Sequence, residues 1–131
     1  MKGFKSNIEK DTLENSNFRK VLYTGKHLQL VLMSLKVGEE IGEETHLHND
    51  QFFRFESGIG KCIIDGNEYK VKEGDVIVVP AGAKHNVINA GSIELKMYTL
   101  YGPPNHENGT IRKTKADAEK NDEEFDGKTS E

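Results

Sequence analysis

From Phe18 to Tyr101 the chain is cut into short β-prone segments by glycine-bearing breakers, and that rhythm limits the folds open to it. The segments FRKVLYT (18–24), LQLVLMSL (28–35), QFFRFES (51–57), KCIID (61–65), EYKVK (68–72), DVIVVP (75–80), HNVIN (85–89) and IELKMYTLY (93–101) are rich in Val, Ile, Leu and aromatic residues. Such side chains fit a pleated, half-buried surface. Between the segments lie TGK, KVGEE, ESGIG, DGN, KEGD, PAGAK and NAGS. Asp65-Gly66 is a strong hairpin signal, because Gly accepts the positive φ that a two-residue hairpin turn demands. Short strands at close spacing, with no long helical period, predict an all-β domain over residues 18–102, an antiparallel barrel or jelly roll.

The flanks read differently. Residues 1–17 form a polar arm with few apolar anchors, and from Pro103 to Glu131 the chain turns charged, ending in KADAEKNDEEFDGKTSE. A short helix is predicted from Thr114 to about Glu124, because Thr114 can cap it and Ala, Glu and Lys favour helix. Residues 127–131 are expected to fray.

Composition narrows the function classes. The 131 residues suffice for one domain with a real core. Eighteen basic against 22 acidic side chains give a net charge of −4 with no basic stripe, which argues against a nucleic-acid partner. No apolar run approaches the roughly 20 residues of a membrane helix, and MKGFKSNIEKD lacks the apolar stretch of a signal peptide. The expectation is a soluble cytoplasmic protein without a membrane partner. Cys62 is the only cysteine, which leaves no intrachain disulfide and no thiolate zinc motif, and it reads as a buried, reduced thiol.

The chemistry sits in EETHLHNDQFFRFESG, residues 43–58. Side chains alternate along a strand, so His46 and His48 project from one face and can converge on an ion. Imidazole suits Zn, Fe, Mn, Ni and Cu alike. His85 lies far along the chain, yet a facing strand can bring it to the same point.

A second segment, GDVIVVPAGAKHNVIN, carries Gly74, Pro80, Gly82, His85 and Asn89 at the spacing of the second conserved motif of the cupin superfamily. The chain resembles a small single-domain cupin. The first cupin motif pairs His-x-His with a Glu three or four residues later and a Gly after a further six. His46, His48 and the Gln51-to-Gly58 spacing are similar to it, with departures: only Asn49 and Asp50 separate His48 from Gln51, Gln stands in place of Glu, and neither Gly38 nor Gly42 keeps the usual upstream interval. The resemblance covers residues 42–89 and implies one divalent transition metal, Mn, Fe, Zn or Ni, held by His46, His48, His85 and a fourth ligand. Pro80 ends a strand, Gly82 lets the chain reverse, and the reversal aims His85 into the barrel mouth, with Asn89 satisfying backbone groups at the strand's end.

Parity bears on the fourth ligand. If Gln51 points inward, Phe53 and Phe55 follow it; if Asp50 points inward, Arg54 and Glu56 are buried with it, at a cost unless paired. Gln51 is favoured, through its carbonyl oxygen, with Asp50 the alternative. The same alternation places Ile93, Leu95, Met97, Thr99 and Tyr101 on one face, so that Phe53, Phe55, Met97 and Tyr101 form a candidate substrate pocket that core packing explains equally well. LQLVLMSL is apolar on both faces, which predicts a homodimer.

The resemblance extends to isomerase, lyase and dioxygenase members and implies a metal-dependent enzyme acting on a small oxygen-bearing substrate. The alternatives are a non-catalytic module that binds or senses a small ligand at the same metal, and a metal-free structural domain. No catalytic acid or base is assigned: Glu43, Glu44 and His106 are ionisable and near the rim, and are read as solvated surface.

Overall fold

The computed structural model describes residues 1–131. The elements run α1 (Ile8–Glu14), β1 (Arg19–Thr24), β2 (Gln29–Leu35), β3 (Glu44–Thr45), β4 (Asp50–Ser57), β5 (Ile59–Ile64), β6 (Asn67–Lys72), β7 (Val76–Val79), β8 (Lys84–Asn89), β9 (Leu95–Gly102), β10 (Ile111–Arg112) and α2 (Lys115–Lys120). The strands form two antiparallel sheets, ordered β10-β1-β2-β9-β4-β7 and β3-β8-β5-β6. No helix is long and apolar enough to cross a membrane.

Period-2 alternation builds the core between the sheets. Along β9 the buried residues are Leu95, Met97, Thr99 and Tyr101, and along β4 they are Gln51, Phe53 and Phe55. With Val31, Met33 and Leu35 of β2 and Val87 of β8 they leave almost no apolar side chain of the inner faces in water. A register shift between Phe55 and Ser57 buries Glu56 as well, where Arg54 Nε meets its carboxylate at 3.0 Å. Ile93 departs from the expected face: it precedes β9 and is exposed. Cys62 is buried, and burial pushes its thiol up to about 12.

All eight predicted strands are present, with ends shifted by a residue or two, and β3, β10 and α1 are added to them. Helix α1 forms in the arm read as merely polar. Asn7 caps it by accepting the Lys10 N–H, and Lys96 Nζ donates to the carbonyls of Leu13 and Asn15 at its other end, where a cation suits the unsatisfied carbonyls. The helix lies against β9, β4 and β2 on the outer side of the larger sheet. Burial of the outward residues Leu32 and Ser34 therefore has a source within the chain. Beyond the helix, register aligns Leu30, Leu100, Phe52 and Val78 in one outer row.

The charged tail also packs. Thr114 caps α2 by accepting the Asp117 N–H, and the helix ends by Asn121, short of the expected boundary. The terminal residues do not fray. Strand β10 pairs with β1 only at Arg19 and Lys20, so Thr24 has backbone groups to spare, and Ser130 takes both: its N–H donates to Thr24 O at 2.8 Å, and its Oγ accepts the Thr24 N–H at 2.9 Å. The Glu131 carboxylate accepts from the Lys2 and Gly3 N–H groups and from Tyr23 Oη.

Gln29 anchors the start of that tail. Its Nε2 donates to Thr24 Oγ1 and to the His106 carbonyl, and its Oε1 accepts the N–H groups of Asn105 and His106. Gln29→Leu keeps the volume and strands these buried partners, so it is expected to lower unfolding stability by about 3 kcal/mol, measured by urea titration.

Candidate metal centre

The short strand β3 pairs with β8 so that Glu44 stands opposite His85. Two residues on, His46 shares the inward face of Glu44. The ligand atoms of Glu44, His46 and His85 all lie within 4.8 Å of one another. His46 Nε2 is 3.1 Å and His85 Nε2 3.9 Å from Glu44 Oε2, with the two imidazole rings 5.4 Å apart.

The turn before β8 sets this geometry. The Ala83 N–H donates to Pro80 O at 3.1 Å, and Gly82, at the third position of the turn, has φ +90°, a conformation Gly adopts without a Cβ penalty. The Gly82 N–H donates to His46 O at 2.8 Å, and the Ala81 N–H donates to Asp50 Oδ1 at 2.9 Å. The turn that aims His85 is thereby bonded to the loop that carries His46. Asn89 closes the far end of β8, donating to the carbonyls of Leu35 and Ile93 and accepting the Gly91 N–H.

The His85 imidazole is held ready to bind. His85 Nδ1 lies 3.1 Å from Ala83 O, an acceptor that fixes the proton on Nδ1 and leaves Nε2 with a free lone pair. Burial, partly offset by that carbonyl and by Glu44, holds His85 below its ordinary pKa. Burial works against ionising Glu44, but the hydrogen bond from His46 and the charges of His46, Arg19 and His85 outweigh it, and the carboxyl sits below its usual value.

Gln51 sits on the neighbouring wall. It is 2% exposed, as parity required, whereas Asp50 is exposed and serves the turn. Gln51 Nε2 donates to Thr99 Oγ1 at 3.0 Å, which leaves Oε1 buried without a partner; His85 Nε2 is likewise buried and unpartnered. Unsatisfied buried acceptors are rare, and two on the inner faces beside an acid and a second imidazole match what a divalent cation requires. The donor set of carboxylate, two imidazoles and amide oxygen fits such an ion.

The remaining predicted residues divide. The Phe53 ring lies 6.5 Å from His85, and the Tyr101 ring meets His46 edge-on at 5.6 Å. Phe55, stacked on Phe53, and Met97 belong to the packed core behind them. His48 is exposed and stands outside the cluster that holds Glu44, His46 and His85. Glu43 is exposed and pairs with Lys84 at 3.4 Å. Two residues read as solvated surface are placed otherwise: Glu44 is half-buried among the histidines, and His106 is 6% exposed, with Nε2 3.1 Å from Tyr101 Oη. The spacing held a signal for Glu44. Four residues separate His46 from Gln51, within the motif's interval, so the x-separated pair is Glu44 and His46 and not His46 and His48.

The Cupin_2 family model, a cupin domain, matches residues 31–101. The chain is 50% identical over 123 residues to YrkC of Bacillus subtilis, covering 89% of this chain and 66% of that protein. It is 42% identical over 109 residues to a protein of Acanthamoeba polyphaga mimivirus, covering 80% of this chain and 68% of the other. The chain thus spans about two thirds of the length of these relatives. The crystal structure of BH2720 from Bacillus halodurans superposes with a TM-score of 0.90 at 44% identity, covering 92% of this chain and 96% of that one. KdgF from Halomonas sp., at 20% identity and a TM-score of 0.62 over 65% of this chain and 76% of its own, shares the fold alone. Two facing antiparallel sheets, a metal-compatible cluster at their mouth and a family match over more than half the sequence identify the protein as a member of the cupin domain family.

Proposed function

We propose that the protein is a metal-dependent cupin enzyme in which Glu44, His46, Gln51 and His85 hold one divalent transition ion and a small oxygen-bearing molecule is the substrate. The observation that carries this reading is the convergence of the ionisable ligand atoms of Glu44, His46 and His85 within 4.8 Å of one another, with His85 Nε2 and the neighbouring Gln51 Oε1 both buried and without a partner. An ion so held supplies Lewis-acid polarisation of a bound oxygen. Glu44 adds one negative charge to an otherwise neutral ligand set, which strengthens retention of the cation. Phe53 and the Tyr101 ring wall the inner side, where a low-dielectric surface strengthens polar contacts. Tyr101 is kept protonated by burial, which pushes its phenol above the usual value, so it serves as a hydrogen-bonding group.

Metal content and chelator competition test the ligand set. About one ion per chain is expected, together with loss of binding in Glu44→Ala/His85→Ala and near-normal affinity in His48→Ala. Retention of metal by the double variant, or its loss in His48→Ala, rejects the set.

Protons compete with the ion for the same lone pairs. His85 is held below its ordinary value by burial, so metal affinity should stay level from pH 8 to about 6.5 and fall progressively from there to pH 4.5. Affinity that rises as the pH is lowered would contradict the assignment.

The outer row of Leu30, Leu100, Phe52 and Val78 supports a homodimer formed through this sheet face, Val78 being 60% exposed. Sedimentation should report a dimer for the native chain and a monomer for Val78→Glu; a monomeric native chain rejects this interface.

A further inference from the structure

The C-terminal segment inserts one carboxylate beside the metal centre. Glu123 follows α2 between the exposed Asp122 and Glu124, yet its own side chain is 5% exposed. Its Oε1 lies 3.3 Å from the Arg19 guanidinium and 3.0 Å from His106 Nδ1, which has no other partner. The backbone of His106 is fixed on both sides by Gln29. On the far edge of its ring, Nε2 lies 3.1 Å from Tyr101 Oη, and the two rings meet edge-on at 5.1 Å. Tyr101 stands between Gln29 and Gln51 in the strand register, with its ring against His46.

These contacts have a direction. An ionised carboxylate held by Arg19 is an acceptor only, so His106 Nδ1 must carry the proton, and a neutral imidazole then offers Nε2 as an acceptor. Burial favours that neutral form and holds the His106 pKa below its ordinary value, against the opposing pull of Glu123. The phenol spends its single proton on Nε2. The Gln51 side chain donates to the Tyr101 oxygen, which keeps one further lone pair as acceptor capacity.

We infer that Glu123 is a positioning residue which, through His106, presents the Tyr101 oxygen to the metal centre as a hydrogen-bond acceptor, so that the site prefers a ligand bearing a hydroxyl next to its metal-binding oxygen. This rests on the metal-site reading above and narrows its substrate to the class of small hydroxylated compounds, 2-hydroxycarboxylates being the simplest. A ligand with only carbonyl, carboxylate or ether oxygens would place a lone pair against a lone pair.

Two measurements test it. In the metal-free protein, long-range proton–nitrogen NMR of labelled histidine at pH 8 should find His106 protonated on Nδ1 and bare on Nε2; a proton on Nε2 overturns the inference whatever the metal does. In the cobalt(II)-loaded protein, visible spectra are followed during titration with glycolate and with methoxyacetate, in which a methyl group replaces the hydroxyl hydrogen. The native chain should favour glycolate. Tyr101→Phe and Glu123→Gln should each cut that preference about fivefold, the size of one ordinary hydrogen bond, and Glu123→Asp should largely restore it, with cobalt affinity unchanged in all three. An undiminished preference in cobalt-loaded Tyr101→Phe overturns the inference and leaves the metal reading standing. Failure of the native chain to bind cobalt overturns the metal reading and the ligand preference with it.

Discussion

The hydrogen bond from the Gly82 N–H to the His46 carbonyl joins two segments that lie far apart in sequence, and the site depends on it. A backbone bond cannot be adjusted by rotating a side chain, so it fixes the separation of two loops more rigidly than an imidazole–imidazole contact would. The Ala81 N–H to Asp50 bond adds a second stitch, and the pairing of Glu44 with His85 adds a third. Two side chains of one short segment and a third from a strand far along the chain are therefore presented at one point before any ligand arrives. Such pre-organisation avoids the ordering cost that a flexible ligand set would meet on binding.

Electrostatics completes what the backbone begins. Burial works against the ionised form of Glu44, but His46 at hydrogen-bond distance and the nearby charges favour it more strongly. Glu44 is thus held without its proton and His85 with a bare Nε2, the states that coordination demands of these two groups. The same logic recurs a few residues away, where Arg19 and His106 share Glu123.

Much of this was legible in the sequence. Eight strands announced themselves through β-branched and aromatic runs bounded by Gly, and GDVIVVPAGAKHNVIN located His85 because Pro80 and Gly82 permit few other conformations. Parity separated Gln51 from Asp50, since one choice buries phenylalanines and the other Arg54 and Glu56, although Glu56 is buried all the same past the register shift, paired with Arg54. Parity failed one turn earlier for a plain reason. Glu44, His46 and His48 are two apart and share a face in any continuous strand, so alternation cannot say which pair is used; β3 ends at Thr45, and the chain bends before His48. His106 and Glu123 were hidden more deeply, because their burial comes from a tail folding back over the barrel, a long-range event that no local pattern encodes. Helix α1 was missed because its capping cation, Lys96, lies some 80 residues downstream.

The buried thiol of Cys62 has a practical corollary. It is the chain's single cysteine, and its proton stays in place at any pH the fold would ordinarily meet. Alkylating and maleimide reagents attack the thiolate and need access to it, so the native protein presents them with a blank background. One cysteine introduced on the exposed side of α2, for example at Glu119, would be the sole handle on the molecule. A fluorophore or spin label placed there would report the movements of the tail against the barrel without any further change to the sequence.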